Sequence, residues 1–328
     1  MSTRRKGCLK LLFWFAVADV VVLFLFGQVY YNLGSNLTLW AFKDSTAPLE
    51  VKTTRGWRAV SEVTMAELGE ALIEQHLEPD FRWCTLPVRR RATTPLQSFV
   101  SGFFGAEMNI VTISPNRFAF TTSFDSSFRG TTAKERMSAE RAHFTIVANF
   151  REPNGKPLGW VYHQGQLVHR PFPEWTGVFF VKQGKPWFGP KSLLDEVPGP
   201  IEEGTQGYPS VMKNHTVFSY VDRAPDKFFD GKKITYRSLA GMRRDGTIVF
   251  VLSGDGGVCN VAEVTELARK LDVQHATLLD GGRALQYSIR SRFGATHFHA
   301  FNTQLDFGPR WMRPQKSPVY IAVKPRQP

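Results

Sequence analysis

The chain has 328 residues and a formal net charge of +12. This length can bury the core of one domain plus a lead segment, and the charge favours polyanionic partners such as phosphate-bearing glycans, lipid head groups or nucleic acid. The three cysteines lack the spacing of a zinc site, and the sequence shows neither internal repeats nor low-complexity tracts.

An apolar stretch near the N-terminus predicts a membrane-spanning helix. Four basic residues within the first ten precede the segment 11–26, LLFWFAVADVVVLFLF, which with its flanks is about long enough to cross a bilayer. Basic residues before the span place the N-terminus in the cytoplasm. We therefore expect a single-pass protein of the inner membrane with its main domain in the periplasm or outside the cell. A cleaved signal peptide is the alternative, but GQVYYNLG offers no clear cleavage site.

Export restricts the partners that the positive charge can have. Residues 1–35 contribute +3 of the +12, so +9 remains on the exported part, and nucleic acid is not an expected partner. The run Arg89 to Arg91 would contact lipid phosphates or form a solvated loop. Cys84 and Cys259 would lie where a disulfide can persist, but the sequence does not show whether they are close. The oligomeric state is left open.

The exported part predicts an α+β fold. Residues 35–55 are polar and predict a short linker, 64–78 predict a helix, and the proline-containing segment 79–100 predicts irregular structure. From residue 103 onward, short strands dominate, with a helix at 132–141. This pattern predicts a mixed, largely antiparallel sheet with packed helices, preceded by one transmembrane helix. We divide the chain into a tip and anchor (1–34), a linker and lead segment (35–99) and a main domain (100–328).

The segment 231–290 holds the clearest pattern. Two alternating strands, SLAGM and TIVFVLS, flank the turn Arg244-Asp245-Gly246, which predicts a hairpin. An amphipathic helix with Val261, Val264, Ala268 and Leu271 on one stripe follows. The apolar run ATLL then stops at Asp280-Gly281-Gly282. A carboxylate at the end of a buried strand, followed by glycines that let a ligand approach the backbone, is typical of a functional site.

This order resembles the phosphodiester glycosidase family. An Arg before a hairpin, a helix opened by an acidic residue and a strand ending in LDGG occur in sequence, and the resemblance is sharpest over 236–282. The best-known member is a lysosomal enzyme that removes N-acetylglucosamine from a phosphodiester on mannose. The resemblance implies a hydrolase that cleaves a glycosidic bond to a phosphate diester, with a phosphorylated glycan or sugar phosphate as substrate.

The resemblance also implies roles for three residues. Asp280 would be the nucleophile or base, Glu263 the acid/base or a supporting group, and Arg237 would hold the phosphate, because a guanidinium fork matches two phosphate oxygens. Each has a simpler structural interpretation. Asp280 could cap a turn, Asn260 and Glu263 fit a helix capping box, and Arg237 could lie on a solvated strand.

Further positions match the family less closely. Asp255 is one residue away from the family aspartate, and Asn149 reaches the family asparagine only with a two-residue shift and without its glycine pair. Substrate-binding candidates are Gly281, Gly282, Arg283, Gln206, Gly207 and His215. Arg283 stands where the family has Gly-Ser, so it would bind phosphate or fill the pocket.

The altered motifs support a second hypothesis, in which the protein binds phosphoglycans or assembles the envelope without catalysis. An ion pair between Arg283 and Asp280 would favour it. A lipid-surface protein using the run at 89–91 is a third hypothesis. Calcium or magnesium could assist at Asp255 and Asp280, but no ligand set is complete. His297 and His299 would share one face of a strand, and without a third ligand we predict no metal site there.

Overall fold

The N-terminal apolar stretch forms a single long helix. The computed structural model describes residues 3–218, 230–300 and 315–326, and α1 covers Thr3–Tyr31. Within it, the 20 residues Leu9–Gln28 have a mean hydropathy of 2.3 and are not buried, so they are long and apolar enough to cross a membrane or to serve as a signal sequence. Asn32, with φ 43° and ψ 51°, separates α1 from α2 (Leu33–Phe42).

The remaining elements follow in chain order. The helices are α3 (Met65–Ala71), α4 (Pro95–Phe103), α5 (Ala133–Glu140), α6 (Leu193–Glu196) and α7 (Val261–Lys270). The strands up to the middle of the chain are β1 (Leu49–Thr53), β2 (Gly56–Ala59), β3 (Ile73–Glu78), β4 (Phe81–Arg90), β5 (Ala106–Ile113), β6 (Phe118–Phe124), β7 (Phe144–Val147), β8 (Val161–His163), β9 (Gln166–His169) and β10 (Gly177–Lys182). The later strands are β11 (Lys185–Pro190), β12 (Glu203–Gly207), β13 (Ser210–Lys213), β14 (Thr216–Val217), β15 (Ser238–Arg243), β16 (Ile248–Ser253), β17 (Val273–Leu278), β18 (Gln286–Ser291), β19 (Gly294–His299) and β20 (Val319–Pro325).

The described strands form three sheets. The largest has ten strands in the order β14-β13-β17-β15-β16-β5-β4-β1-β2, with β3 also paired to β4. Two five-stranded sheets have the orders β11-β10-β12-β8-β9 and β19-β18-β7-β20-β6. Neighbouring strands are antiparallel. The predicted α+β class with a largely antiparallel sheet is confirmed.

Two cores lie on opposite faces of the large sheet. One core collects aromatic and aliphatic side chains from all three sheets, Phe144, Phe188 and Phe250 among them. The other packs β1, β4, β5 and β17 against α3 and α7. The predicted stripe of α7 is buried here, with its four apolar side chains between 0% and 6% exposed. Because this stripe matches the helical period, α7 was predictable from the local sequence.

The lead segment is more ordered than predicted. The predicted helix over 64–78 ends at Ala71, since Leu72 turns the backbone into an extended conformation and the following residues pair with β4. The prediction of irregular structure over 79–100 is wrong. It contains the ten-residue strand β4 and the start of α4, where Pro95 occupies the first turn after the N-cap Thr94, a position that tolerates proline.

The large sheet continues across the predicted boundary between residues 99 and 100. β5 pairs with β4 on one side and with β16 on the other. The segment predicted as a linker contains most of α2 and the whole of β1, and β1 pairs with the end of β4. The lead segment therefore supplies four strands to the same sheet that carries β15, β16 and β17 of the segment 231–290, which we call the motif region.

Cys84 and Cys259 are buried free thiols. Cys84 and Cys259 both lie in the core between the large sheet and α7. Burial raises the pKa of the Cys259 thiol to about 12, so it is not a reactive thiolate at neutral pH. The sequence left open whether Cys84 and Cys259 form a disulfide, and in the structure they do not.

Candidate active site

The Asp-Gly-Gly turn lies where two sheets meet. After β17 ends, the Asp280 backbone N–H donates to the carbonyl of Ala148, at the end of β7, over 3.2 Å. The Ser238 hydroxyl donates to the Asp280 carbonyl over 2.9 Å. The two glycines then carry the chain over β15, because a Cβ on Gly281 would lie 2.9 Å from the Tyr236 carbonyl oxygen and Gly282 has a φ of +58°.

The Asp280 carboxyl is buried and largely protonated at neutral pH. Its residue is 6% exposed, and burial raises its pKa to about 8, although the positive charge of Arg151 and a hydrogen bond from Gly281 act in the opposite direction. At pH 7, about one molecule in ten would carry the ionised form. A strongly perturbed carboxyl at a strand end is a characteristic of catalytic sites.

A cleft of about 350 Å³ lies beside this turn. Arg237 and Lys233 bring positive charge to its wall, and Phe150 and Tyr208 bring aromatic surface. Arg237 is 8% exposed, and one guanidinium nitrogen donates to the carbonyls of Asp230 and Lys233 over 2.7 Å each. Burial lowers the pKa of this guanidinium, yet an arginine keeps its charge in proteins. The cleft therefore suits a sugar ring that carries an anionic group.

Asn149 adds an unsatisfied polar atom near Asp280. The side chain is fully buried, and its amide nitrogen donates to the Leu158 carbonyl over 3.3 Å. Within the described ranges, its carbonyl oxygen Oδ1 accepts no hydrogen bond. An unpaired buried acceptor costs about 1–3 kcal/mol, and Asn149 directly follows Ala148, the hydrogen-bond partner of Asp280, so Asn149 stays a candidate site residue.

Comparison with known families identifies this arrangement. The family model for phosphodiester glycosidases matches residues 140–313, which is more than half of the chain. The chain belongs to the phosphodiester glycosidase family. The matched region contains β7, the cleft and the Asp-Gly-Gly turn, and the membership makes this protein a glycosidase-type hydrolase. No curated protein matches the chain.

One solved structure shares the fold of this phosphodiester glycosidase. The catalytic domain of zebrafish N-acetylglucosamine-1-phosphodiester alpha-N-acetylglucosaminidase, auto-inhibited by its pro-peptide, superimposes with a TM-score of 0.58 at 14% identity over 81% of this chain and 92% of the other. A hypothetical protein from Synechocystis gives a TM-score of 0.49 at 15% identity, over 85% of this chain and 68% of the other. The zebrafish structure supports the fold, and at this identity it assigns no residue roles.

Glu263 lies outside the cleft of this phosphodiester glycosidase. It closes the capping box of α7 with Asn260, and its carboxylate pairs with the guanidinium of Arg90 over 2.6 Å. It also accepts a hydrogen bond from the Leu49 backbone over 2.8 Å. In this structure, Glu263 joins α7 to the lead segment.

The neighbouring arginines bind a different carboxylate. Arg89 and Arg91 pair with the buried Glu50 over 2.8 Å and 2.5 Å. Arg89 and Arg91 thus form ion pairs within the lead segment, and Arg90 forms one with α7. The sequence analysis expected these arginines to contact lipid phosphates or to form a solvated loop.

Asp255 faces a second polar pocket, which we call the neck pocket. Its walls include Asn32, Glu107, Asn109 and Asp255. The Asp255 carboxylate accepts hydrogen bonds from Asn32 over 2.7 Å and from Ser35 over 3.3 Å. Burial raises the pKa of Glu107, and the charge of Asp255 raises it further. Asp255 thus hydrogen-bonds the junction of α1 and α2 to the domain. It is not among the residues that line the cleft beside the Asp-Gly-Gly turn.

The Gln206-Gly207 pair shapes the fold beneath the site. The Gln206 side-chain oxygen accepts from the backbones of Trp160 and Phe172 over 2.8 Å each, and its nitrogen donates to the Phe172 carbonyl over 2.9 Å. These contacts hold the loop that leads into and out of β8 and β9. A Cβ on Gly207 would lie 2.5 Å from the Leu278 carbonyl oxygen, so the glycine lets β12 approach the end of β17.

His215 lies at the opposite end of β17 from Asp280. Its Nδ1 is 3.9 Å from a carboxylate oxygen of Asp272, the residue that precedes β17, whereas Asp280 follows it. A six-residue strand extends about 20 Å, so His215 cannot reach a group bound at Asp280 in this conformation.

Arg283 is exposed, and of these two described residues the Arg283 guanidinium does not form an ion pair with the Asp280 carboxyl. Across the described ranges, the Asp280 carboxyl has no cation within ion-pair distance. The structure instead reveals cleft residues that the sequence analysis missed, namely Asp230, Lys233 and Tyr208, with Arg151 nearby. An Asp-Gly-Lys-Lys run such as 230–233 is typical of a turn, but only the fold places it beside the glycines.

Metal-binding groups do not cluster in the described part of the chain. Within it, no group of three or more His, Cys, Asp or Glu side chains is arranged to hold a metal ion. Of the two residues considered for calcium or magnesium, Asp255 lines the neck pocket, whereas Asp280 lies between Leu279 and Gly281, which line the other cleft. His297 and His299 both line the neck pocket, and His297 is hydrogen-bonded to the Ser288 hydroxyl over 2.8 Å.

Proposed function

We propose that this protein is a membrane-anchored, exported hydrolase that cleaves the bond between a sugar and a phosphodiester in envelope or extracellular glycans. The observation that supports this most is the buried Asp280 carboxyl, with a pKa of about 8, beside a cleft lined by Arg237 and Lys233. The phosphate would lie against these two cations, and the sugar would lie against the aromatic side chains.

The chemistry assigns Asp280 the role of base. The leaving group is a phosphate, which departs without strong protonation because its own conjugate acid is acidic, with a second pKa of about 6. The ionised carboxylate of Asp280 would take a proton from a water molecule as that water attacks the anomeric carbon and the carbon–oxygen bond to phosphate breaks. Because its pKa is raised, the carboxylate is a stronger base than an ordinary aspartate.

Two features support the exported, anchored state. None of Leu9–Gln28 is buried, and the stretch is apolar enough to cross a bilayer. Three basic residues precede it within positions 4–6, which favours a cytoplasmic N-terminus. Asn32 and Ser35 bind Asp255 of the domain. These contacts connect the junction of α1 and α2, residues 32–35, which we call the neck, to the domain. We therefore favour an uncleaved anchor over a removed signal peptide.

The test is turnover of sugar 1-phosphodiesters by the full chain in detergent. A panel that varies the sugar and its anomeric configuration is compared with Asp280→Asn and with Asp44→Asn, whose carboxylate is exposed. We expect turnover by the parent and by Asp44→Asn, and a loss of at least about 10²-fold for Asp280→Asn.

A pH series separates the roles of Asp280. If Asp280 is the base, kcat/KM should rise about tenfold per pH unit up to about pH 8, as the carboxyl ionises, and then level off. A rate that falls above this pH would instead identify a general acid. Full activity of Asp280→Asn would refute both roles.

Phosphoglycan binding without catalysis is the competing function. It is favoured by the missing glycine pair after Asn149. The exposed position of Arg283 weighs against it, because the ion pair to Asp280 that would block catalysis is not formed. Saturable binding of a sugar phosphodiester by a folded protein that turns over no member of the panel would support it.

A further inference from the structure

Helix α4 presents an apolar stripe to the outside of the domain. Leu96, Phe99 and Phe103 are 41%, 60% and 60% exposed, and their spacing of three and four residues places them on one side of the helix. Phe99 and Phe103 stack on each other with ring centroids 5.7 Å apart. An exposed stripe with two stacked phenylalanines marks an interaction surface.

The stripe is held rigidly by α2. The Gln97 side-chain amide donates to the Ala41 carbonyl of α2 over 3.0 Å, and Gln97 and Val100 are buried on the other side of α4. The Phe104 ring lies directly against Gly34, where an added Cβ would be 2.4 Å from the ring. Because α4 is fixed in this way, its apolar stripe keeps one orientation relative to the neck.

The stripe is continuous with the apolar span of α1. Phe24 meets Phe103 edge-on at 5.7 Å and stacks with Phe104 at 6.1 Å. Phe24 lies four residues before Gln28, the end of the apolar stretch, which is about 6 Å along the helix axis. Phe103 therefore reaches the level of residues inside the span, and interfacial helices insert their apolar faces about 5–10 Å.

We propose that α4 is a second membrane contact, which inserts Leu96, Phe99 and Phe103 into the outer leaflet of the bilayer that α1 crosses. This inference rests on the anchored state proposed above. The occupant is lipid rather than another protein, because the stripe adjoins the exposed surface of α1, where Leu23 and Leu25 remain 67% and 55% exposed. Phenylalanine side chains suit this boundary region, and α4 carries no charged residue that would resist insertion.

The test measures the depth of labels on the full chain in liposomes. Cys8 is replaced by serine, while Cys84 and Cys259 are buried and stay in place. Single cysteines are introduced as Phe99→Cys on the stripe, Ser98→Cys on the neighbouring face and Val21→Cys within α1, and each is coupled to an environment-sensitive fluorophore. Quenching is measured with nitroxide lipids labelled near the top of the acyl chain and with aqueous iodide, and the Cys8→Ser protein gives the background.

We expect the label at position 99 to be quenched at least about twofold more by the nitroxide lipid than the label at 98, and less by iodide. If the label at 21 responds to lipid but that at 99 responds only to iodide, α1 spans the membrane and the inference about α4 is wrong. If the label at 99 responds to neither quencher, a protein partner covers the stripe, which also overturns the proposal. If the label at 21 does not respond to lipid, the anchored state itself fails.

Discussion

At the scale of single residues, the main feature of the candidate site is the burial of the ionisable Asp280 carboxyl. Asp280 lies where β17 meets β7, with a pKa of about 8 against 3.8 for an unperturbed aspartate. Between these values, the folded protein holds a proton that the unfolded chain releases. Stability therefore falls as pH rises from about 4 to about 8, so the residue that we propose as the base weakens the fold.

Asp280→Asn should stabilise the protein while removing activity. The amide cannot ionise, so it avoids a penalty that amounts to about 4 kcal/mol at pH 7. We expect the melting temperature of the variant to exceed that of Asp44→Asn by a margin that grows between pH 5 and pH 8. A margin that is constant over this range would mean that Asp280 is ionised throughout.

Arg237 should act on the phosphate part of the substrate. Arg237→Gln removes the buried charge beside the cleft, and we expect kcat/KM for a sugar phosphodiester to fall at least about 10²-fold. Arg237→Lys retains a charge but loses the planar guanidinium that can bind two phosphate oxygens, so an intermediate loss is expected. Hydrolysis of an uncharged aryl glycoside serves as the control. An equal loss on both substrates would indicate that Arg237 acts only by holding the loop at 230–233.

At the scale of elements, local patterns predicted the motif region well and the lead segment poorly. The hairpin of β15 and β16, the helix α7 and the strand β17 each carry their own turn or periodicity signal, so they were predictable. The strands β3 and β4 were not, because β3 is stabilised by pairing with β4, and β4 by pairing with β5 and β1, rather than by local propensity. The site residues follow the same rule, since Asp280 ends a recognisable strand, whereas the partner of Glu263 is Arg90, 173 positions away.

Glu263→Gln separates a structural role from a catalytic one. Glutamine can still cap α7, but it leaves the charge of Arg90, whose side chain is 3% exposed, without a partner. We expect a loss of about 3–5 kcal/mol in the free energy of unfolding, with turnover per folded molecule retained. Glu74→Gln, in an exposed pair with Arg82, is the control and should cost less than about 1 kcal/mol. Loss of turnover without loss of stability would return Glu263 to the catalytic set.

At the scale of the whole molecule, the lead segment and the motif region fold as one unit. β5 is an interior strand only because β4 covers one of its edges, and the second core takes Leu49, Val51 and Leu86 from the lead segment. The family match begins at residue 140, so the matched region alone is not the folding unit.

A chain that begins at residue 100 should therefore aggregate. Its β5 would present an unpaired edge and an uncovered apolar face, which is a template for association between molecules. A chain that begins at residue 33, with α2 and all strands retained, should give a single monodisperse species in size-exclusion chromatography at the same concentration. A monodisperse 100–328 fragment would contradict this account of the fold.

The neck has a consequence for how this enzyme meets its substrate. Only Asn32 separates α1 from α2, whereas a flexible linker over the predicted 35–55 would give the domain a reach of about 25 Å. With α1 in a bilayer and Asn32 held by Asp255, the domain stays at a fixed height and cannot sample the surrounding volume. Its encounters then follow the number of substrate molecules per unit area of membrane more than their bulk concentration, and glycans carried by lipids in the same leaflet become the substrates that reach it most often.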